Sequence, residues 1–343
     1  MHPGKFILVP AFLFLFLTSL YSRALPSDTS KSPCQLRALH LLDEALDLMQ
    51  KHYYKKRGVE WDSLIANARA RLCASGSCDE AYQTINWCFG QLQESHSFIM
   101  QPTRAAVYNY DTAALKEKPA LKDLVGEIEG RLLGNGIAYI TVPWVGTTDS
   151  AICTAVADSL QQTIARLDGQ GAHKWIVDLR KNSGGNCWPM LAGIGPLLGD
   201  GTCGYFVSRT EKVAISYSDG AAMQGKYTRC RCSKTYKRKT DSIRIAVLMG
   251  PRTCSSGEIV ALAFKGKAEV SFYGQPTAGL TTANSTYTLS DKSMLVLTVC
   301  MEADRTGRVC EGRLVPDEIV STDNGSRQND KVIARASMWL DLQ

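Results

Sequence analysis

Short apolar segments alternate with helical segments along the second half of this chain, and this alternation constrains the fold more than any other feature. Between two apolar segments, Ile152, Val156 and Leu160 recur four residues apart, which indicates a helix. The apolar segments lack the polar alternation of a half-exposed strand, so we expect a sheet covered on both faces and an α/β fold. The pattern predicts strands at 137–143, 174–179, 204–208, 243–250 and 269–273, and helices at 149–167, 188–198 and 259–265.

A serine occupies one of these junctions between a strand and a helix. Ser255 lies in the turn that follows the strand at 243–250. Such a turn lifts a hydroxyl above the sheet edge, while the first helical N–H groups are unpaired and favour developing negative charge. Ser255 is therefore a candidate nucleophile. The alternative is that Thr253, Ser255 and Ser256 are ordinary helix N-caps.

A second glycine-rich turn follows the strand at 174–179. The pair Gly184 and Gly185 leaves the backbone bare, so that an N–H group can approach a reacting oxygen. The N–H of Ser256, next to the candidate nucleophile, would be a second donor. We expect both turns to face one site, although a glycine pair also suits a plain tight turn.

Four motifs occur in the order found in C-terminal processing and tricorn-type serine peptidases, and the chain resembles that family over roughly residues 80–320. They are Asp-Leu-Arg-x-Asn-x-Gly-Gly at 178–185, Thr-x-Ser-Ser-Gly-Glu at 253–258, Gly-x-x-Thr-x-Gly at 274–279 and Val-Pro-Asp at 315–317. The resemblance implies a Clp protease/crotonase-like core of strand-strand-helix units, a polypeptide substrate, and no metal or organic cofactor.

The resemblance also narrows the choice of base. The processing branch uses a lysine 25 residues after the serine, where this chain has Leu280, and Lys265 and Lys267 are about 15 Å further along the next helix. The tricorn-like branch uses a histidine, and Glu-Ser-His-Ser at 94–97 resembles its context. His96 is therefore the expected base, with Ser95 in support. The alternative for His96 is a loop histidine that caps the preceding helix.

A histidine base needs a partner that fixes its tautomer. The tricorn-like pattern has a glutamate before the segment at 315–317, for which Glu311 is the first candidate and Asp304 the second. Either could instead be a carboxylate of a hairpin turn. These residues together predict a serine endopeptidase. Two alternatives stay open, a cysteine nucleophile at Cys254 and a non-catalytic ligand- or peptide-binding protein on the same fold.

The N-terminus predicts export. Residues 1–24 resemble a signal peptide, with Lys5 before an apolar run at 6–20 that is too short to span a membrane, and a small-x-small cleavage site ending at Ala24. We therefore expect a periplasmic or secreted protein without a membrane span. The 12 cysteines, all beyond residue 33, predict several disulfides in an oxidising compartment.

The remaining sequence divides into three parts. Residues 25–98 form a helical region, marked by apolar residues at helical spacing, residues 99–136 form a linker segment, and residues 137–343 form the α/β core. About 40 residues between His96 and the first core strand are too few for an inserted peptide-binding module of ~90 residues. The basic stretch at 216–241 is expected to be a solvated loop that does not bind nucleic acid. No pattern predicts an oligomeric state.

Overall fold

The computed structural model describes residues 32–72, 77–115, 117–238, 243–321 and 330–342. The signal peptide predicted at 1–24 lies outside these ranges. The helices are α1 Pro33–His52, α2 Trp61–Leu72, α3 Cys78–Gln91, α4 Pro102–Asn109, α5 Ser150–Gly169, α6 Cys187–Leu198, α7 Ser256–Phe264 and α8 Lys331–Asp341.

The strands form two sheets. In chain order they are β1 Phe98–Met100, β2 Gly130–Gly134, β3 Ile137–Thr141, β4 Lys174–Asp178, β5 Gly201–Val207, β6 Lys212–Ser218, β7 Ala221–Gln224, β8 Tyr227–Arg231, β9 Arg244–Met249, β10 Val270–Gly274, β11 Thr282–Thr288, β12 Met294–Ala303, β13 Val309–Cys310 and β14 Glu318–Ile319. One sheet has the order β14-β10-β9-β4-β3-β2 and is parallel except for the β2–β3 pair.

Helices cover both faces of this parallel sheet. Val177 and Val247 face a core shared with α5, α6 and α7, whereas their neighbours Ile176 and Leu248 face a smaller core closed by α8. Successive side chains of a strand point to opposite faces, so a strand buried on both sides must be apolar throughout. The prediction of an α/β fold with a doubly covered sheet is confirmed.

Helix α8, which the sequence analysis did not predict, is fixed to this sheet by ion pairs. Asp330, its N-cap residue, accepts hydrogen bonds from the N–H groups of Val332 and Ile333. The Arg180 guanidinium bridges Asp330 and Asp178, at 2.8 and 2.6 Å. The end of the chain therefore closes the second face of the sheet.

The other sheet is antiparallel and corrects one expectation. Its order is β1-β12-β5-β6-β7-β8, and β11 and β13 also pair with β12. The stretch at 216–241 was expected to be a solvated loop, but it contains the end of β6 and the hairpin of β7 and β8. Arg229 and Arg231 are exposed on β8, whereas the small residues Ala221 and Ala222 of β7 are buried. The many charged residues of this segment led to the prediction of a loop, although the segment contains a hairpin with one buried face.

The N-terminal helices pack on this second sheet. Leu42, Leu46 and Ile85 from α1 and α3 form one apolar cluster with Leu295 and Leu297 of β12. The segment at 99–136, expected to be a linker, contains most of β1 together with α4 and β2. It therefore contributes a strand to each sheet.

The ten cysteines whose side chains the structure describes are free thiols. The expected disulfides are therefore not confirmed for these residues, and Cys73 and the side chain of Cys78 lie outside the description. Burial raises the pKa of the thiols of Cys88, Cys230 and Cys300 to about 12. Along the described chain, no helix combines the length and apolar character needed to cross a bilayer.

Candidate active site

Ser255 occupies the turn between β9 and α7, in a backbone conformation that few residues other than glycine adopt. Its φ is 52° and its ψ is −118°, and it is the N-cap residue of α7. A residue in this region costs about 1–3 kcal/mol and persists only where its surroundings hold it. The Ser255 side chain is half-buried.

The two glycine-rich turns predicted from the sequence pack against each other. The Thr253 hydroxyl donates to the carbonyl of Leu179 at 2.9 Å, and the Cys254 N–H donates to the carbonyl of Asn182 at 3.1 Å. The Ser256 hydroxyl donates to the carbonyl of Gly185 at 2.5 Å. Three bonds from neighbouring positions therefore fix the turn that carries Ser255 against the turn that ends at Gly185.

His96 reaches this place from the N-terminal region. Helix α3 ends at Gln91, and Gln93, with a φ of 52°, reverses the chain. Strand β1 then pairs with the start of β12, so the loop that carries His96 lies against the β11–β12 hairpin. The Asn284 side chain of β11 donates to the His96 carbonyl at 2.9 Å. The loop is thus held by its backbone.

The imidazole of His96 touches two hydroxyl groups. Its Nε2 lies 2.9 Å from Ser255 Oγ, and its Nδ1 lies 2.7 Å from Thr282 Oγ1. With the proton on Nδ1, the ring donates to Thr282 and accepts the Ser255 hydroxyl proton on Nε2, the tautomer that a general base requires. The arrangement can therefore transfer a proton from the Ser255 hydroxyl.

Burial keeps this imidazole neutral. His96 is 7% exposed, and desolvation lowers its pKa from 6.5 to about 4, opposed by the nearby carboxylate of Glu94 and by a hydrogen bond to the Thr282 backbone. The Glu94 carboxylate accepts from the His96 N–H at 2.8 Å and from the Thr298 hydroxyl at 3.0 Å. Glu94 therefore supports His96 through the backbone and through its charge.

Two N–H groups beside Ser255 have no acceptor within the described residues, those of Ser256 and Gly185. The backbone of Gly184 lies close to the Ser256 N–H, because a Cβ on Gly184 would be 3.2 Å from Ser256 N. The N–H of Gly184 itself donates to Asn182 Oδ1 at 2.9 Å. Of the glycine pair named as an oxyanion hole, Gly184 therefore serves to shape the turn, and only Gly185 retains a free donor.

The structure brings neither expected acid to His96. Glu311 is exposed in the turn after β13. Asp304 is buried, but its carboxylate accepts from the Thr306 N–H and hydroxyl and from the Arg308 N–H, so it closes its own hairpin turn. Ser95 is exposed and has no hydrogen bond within the described chain. The partner of Nδ1 is the hydroxyl of Thr282.

Sequence analysis thus missed two residues next to His96, Thr282 and Glu94. Thr282 follows the motif at 274–279, and nothing in that motif identifies Thr282 as a partner of a histidine. Glu94 stands two residues before His96, but this spacing does not reveal that its carboxylate folds back on the His96 N–H. Both contacts depend on the path of the loop over the β11–β12 hairpin.

Cys254, the alternative nucleophile, is half-buried next to Ser255. Burial and the nearby carboxylate of Glu258 raise the pKa of its thiol. Because the thiolate is the reactive form, this environment disfavours a cysteine mechanism. Among the described residues, no cluster of histidine, cysteine and acidic side chains has the arrangement of a metal site.

Known proteins resemble this chain in sequence. The model of peptidase family S41 matches residues 136–320, from the strand before the first crossover to the end of the parallel sheet. A nisin-resistance protein of Lactococcus lactis subsp. lactis is 36% identical over 220 residues, which are 63% of this chain and 62% of the relative. The match therefore leaves more than a third of the relative's length uncovered.

Solved structures share the fold. A lipoprotein from Streptococcus agalactiae superposes with a TM-score of 0.69 at 24% identity, over 88% of this chain and 96% of that chain. The photosystem II D1 C-terminal processing protease gives 0.53 at 15% identity, over 85% and 94%. Mature CPAF complexed with lactacystin gives 0.54 at 12% identity, over 90% and 98%. The Clp protease-like core inferred from the motifs is confirmed.

Proposed function

Because the chain belongs to peptidase family S41, we propose that it is a serine endopeptidase whose nucleophile is Ser255 and whose base is His96. The observation that carries this proposal is the 2.9 Å separation between His96 Nε2 and Ser255 Oγ. A serine hydroxyl is a weak nucleophile until a neighbouring base takes its proton. The low pKa of His96, about 4, keeps the base unprotonated at neutral pH.

The reaction begins when Ser255 Oγ attacks the carbonyl carbon of the scissile peptide bond. The hydroxyl proton passes to His96 Nε2, and the imidazolium then donates it to the departing amine. A water molecule then attacks the acyl-enzyme, and His96 takes its proton and returns it to Ser255 Oγ. Thr282 accepts the Nδ1–H bond throughout, in the position that a carboxylate occupies in a Ser-His-acid triad. We propose that this chain works as a Ser-His pair oriented by Thr282.

The oxyanion of the tetrahedral intermediate would bind the N–H groups of Ser256 and Gly185. Both donors are free within the described residues, and the first belongs to the N-terminus of α7, whose dipole favours negative charge. Removing one such donor from a peptidase costs about 10²–10³ in kcat. The second turn therefore contributes to the rate without contributing a side chain.

The relatives suggest where the enzyme acts and on what. One is a nisin-resistance protein and one a lipoprotein. Together with the predicted signal peptide, these relatives support action outside the cytoplasm. We therefore propose that nisin-like peptides are among its substrates, which incubation of nisin with the protein and mass spectrometry of the products would test.

The decisive experiment combines an active-site probe with one substitution. A fluorophosphonate probe should label the wild-type protein once per chain, and Ser255→Ala should lose both the label and peptide hydrolysis. Ser290→Ala, at an exposed serine of the β11–β12 hairpin, is the matched control and should behave as the wild type. A wild-type protein that neither reacts nor hydrolyses peptides would favour a binding function on the same fold.

A further inference from the structure

Glu258 is a buried carboxylate close to Ser255 that takes no part in the proposed proton transfer or oxyanion binding. Glu258, in the first turn of α7, is 0% exposed. Its Oε2 accepts from the N–H groups of Ser255 and Leu280, each at 2.8 Å. Its Oε1 accepts from the Thr277 hydroxyl and, at 2.9 Å, from the Gly279 N–H. Each carboxylate oxygen therefore accepts two hydrogen bonds.

The four donors are neutral, and they come from two different segments. Within the described residues no lysine or arginine forms an ion pair with Glu258. A buried carboxylate without a cation is costly unless donors surround it, and here they do. One donor belongs to the nucleophile turn, and the other three belong to the loop between β10 and β11. The carboxylate thus joins these two segments at one point.

On the nucleophile side, the bond to Glu258 holds the strained backbone of Ser255. A φ of 52° at a serine persists only where hydrogen bonds and packing fix it. The Ser255 N–H would be unpaired at the start of α7, and the Glu258 side chain reaches back to accept it. This bond orients the Cα–Cβ direction of Ser255, and with it the position of Oγ.

On the histidine side, the same carboxylate holds the loop that leads to Thr282. Gly279 and Leu280 donate to Glu258, and Thr282 follows two residues later as the first residue of β11. Thr282 Oγ1 lies 2.7 Å from His96 Nδ1. Glu258 therefore links the position of Thr282, which orients the His96 imidazole, to the position of the Ser255 backbone, which orients the Ser255 hydroxyl.

From this arrangement we propose that Glu258 is a positioning residue that holds both members of the Ser255–His96 pair in register. The proposal rests on the proposed function of that pair. Glu258 touches neither the reacting atoms nor substrate, because its oxygens are covered by the four donors. Its contribution lies in the distance between Nε2 and Oγ, and a displacement of about 1 Å at a reacting centre can cost about 10²-fold in rate.

Glu258→Gln tests the proposal with little change in shape. A carboxamide keeps one acceptor oxygen and replaces the other by an NH₂ donor, so two of the four donors lose their acceptor whichever way the amide turns. We expect kcat to fall about 10²-fold with KM within about threefold. The rate of fluorophosphonate labelling should fall by the same factor as kcat, while the final stoichiometry stays at one label per chain.

Glu302→Gln is the matched control. Glu302, on β12, is 1% exposed, lies close enough to Glu258 for that charge to raise its pKa, and has no hydrogen-bond partner for either carboxyl oxygen within the described residues. The substitution also replaces a buried carboxyl group by a carboxamide in this part of the core, without touching the four donors of Glu258. Its kcat, KM and labelling rate should stay within about twofold of the wild type.

The outcomes separate the two proposals. A wild-type protein that is not labelled at Ser255 and does not hydrolyse peptides overturns the proposed function. The positioning role alone is overturned if the wild type is labelled and the Glu258→Gln variant reacts at the wild-type rate per folded molecule, even if the labelled fraction falls.

If Glu258→Gln does not fold, hydrogen exchange of the wild type decides. The Ser255, Gly279 and Leu280 amides should exchange slowly, and exchange as fast as in an exposed loop overturns the proposal.

Discussion

The Nδ1 atom of His96 lies 2.7 Å from the hydroxyl oxygen of Thr282, on the first residue of β11. The opposite ring nitrogen of His96 faces Ser255, so Thr282 fixes which nitrogen carries the proton. A hydroxyl, unlike a carboxylate, adds no negative charge to stabilise the imidazolium. This environment, in which burial lowers the pKa of His96, favours the neutral base over its protonated form.

Thr282→Val should lower kcat/KM about 10- to 100-fold with little change in the melting temperature. Valine keeps the branched shape but removes the acceptor of the Nδ1–H bond, and a hydrogen bond to a group that becomes charged contributes about 1.5–3 kcal/mol. Kinetics at pH 7 would measure the loss. Thr286→Val, on an exposed position of the same strand, should leave kcat/KM unchanged. Equal activity of both variants would remove Thr282 from the mechanism.

The pH profile of kcat/KM should have its acidic limb well below the ordinary range of histidine. Burial lowers the pKa of His96 to about 4, so the imidazole remains a base until the pH falls through that value, and activity is lost only there. Steady-state kinetics between about pH 3.5 and 8 would locate the limb, with circular dichroism confirming that the protein stays folded. A half-maximal rate near the ordinary histidine pKa of ~6.5 would contradict a buried neutral base.

Gly185→Ala should abolish activity and destabilise the protein, because no side chain fits there. Its φ is 102°, and a Cβ would lie 2.0 Å from the Val145 carbonyl oxygen. Gly171→Ala is the matched control, because Gly171 has a φ of 93° but no atom within 4 Å of the place that a Cβ would take. It carries only the backbone strain and should lose about 1–3 kcal/mol of stability with kcat unchanged. Thermal unfolding and kinetics of both proteins separate clash from strain.

Glu311→Gln should leave kcat/KM within about twofold of the wild type, because the exposed carboxylate lies in a turn and contacts none of the site residues. Asp304→Asn should instead reduce stability by about 1–3 kcal/mol, since its carboxylate accepts three hydrogen bonds in the β12–β13 turn. Denaturant unfolding and kinetics would distinguish the two. A loss of more than about 10²-fold in kcat for Glu311→Gln would restore a catalytic acid.

Relative to the wild type, the Glu302→Gln variant should gain stability as the pH rises from 5 to 8. Burial and the charge of Glu258 raise the pKa of Glu302, so the folded state retains a proton that the unfolded state releases above its ordinary pKa. Stability of the wild type therefore falls as pH rises, by about 1.4 kcal/mol per unit from this group until its folded pKa is reached. Denaturant unfolding at pH 5 and 8 measures the slope, which should be smaller in the variant. Identical slopes would mean that Glu302 is ionised in the fold.

Much of the architecture is encoded locally. The apolar segments around Val177 and Val247 became parallel strands because burial on both faces tolerates no polar position. Where charge masked the pattern, as at 216–241, the prediction was wrong, because a hairpin with one covered face needs only a few small buried residues. Helix α8 was missed although its spacing is amphipathic, since its docking depends on Arg180 and Asp330.

Neighbouring residues and motifs in a fixed order were sufficient to predict the turn that carries Ser255, the glycine pair opposite it and His96 as the candidate base. The contacts among distant residues follow from the folded chain. Thr282, rather than Glu311 or Asp304, reaches His96 Nδ1, and Glu258 joins Ser255 to Leu280. These contacts depend on the register of β11 against β12 and on the path of the loops above it. A shift of one residue would turn every side chain of the strand to the opposite face.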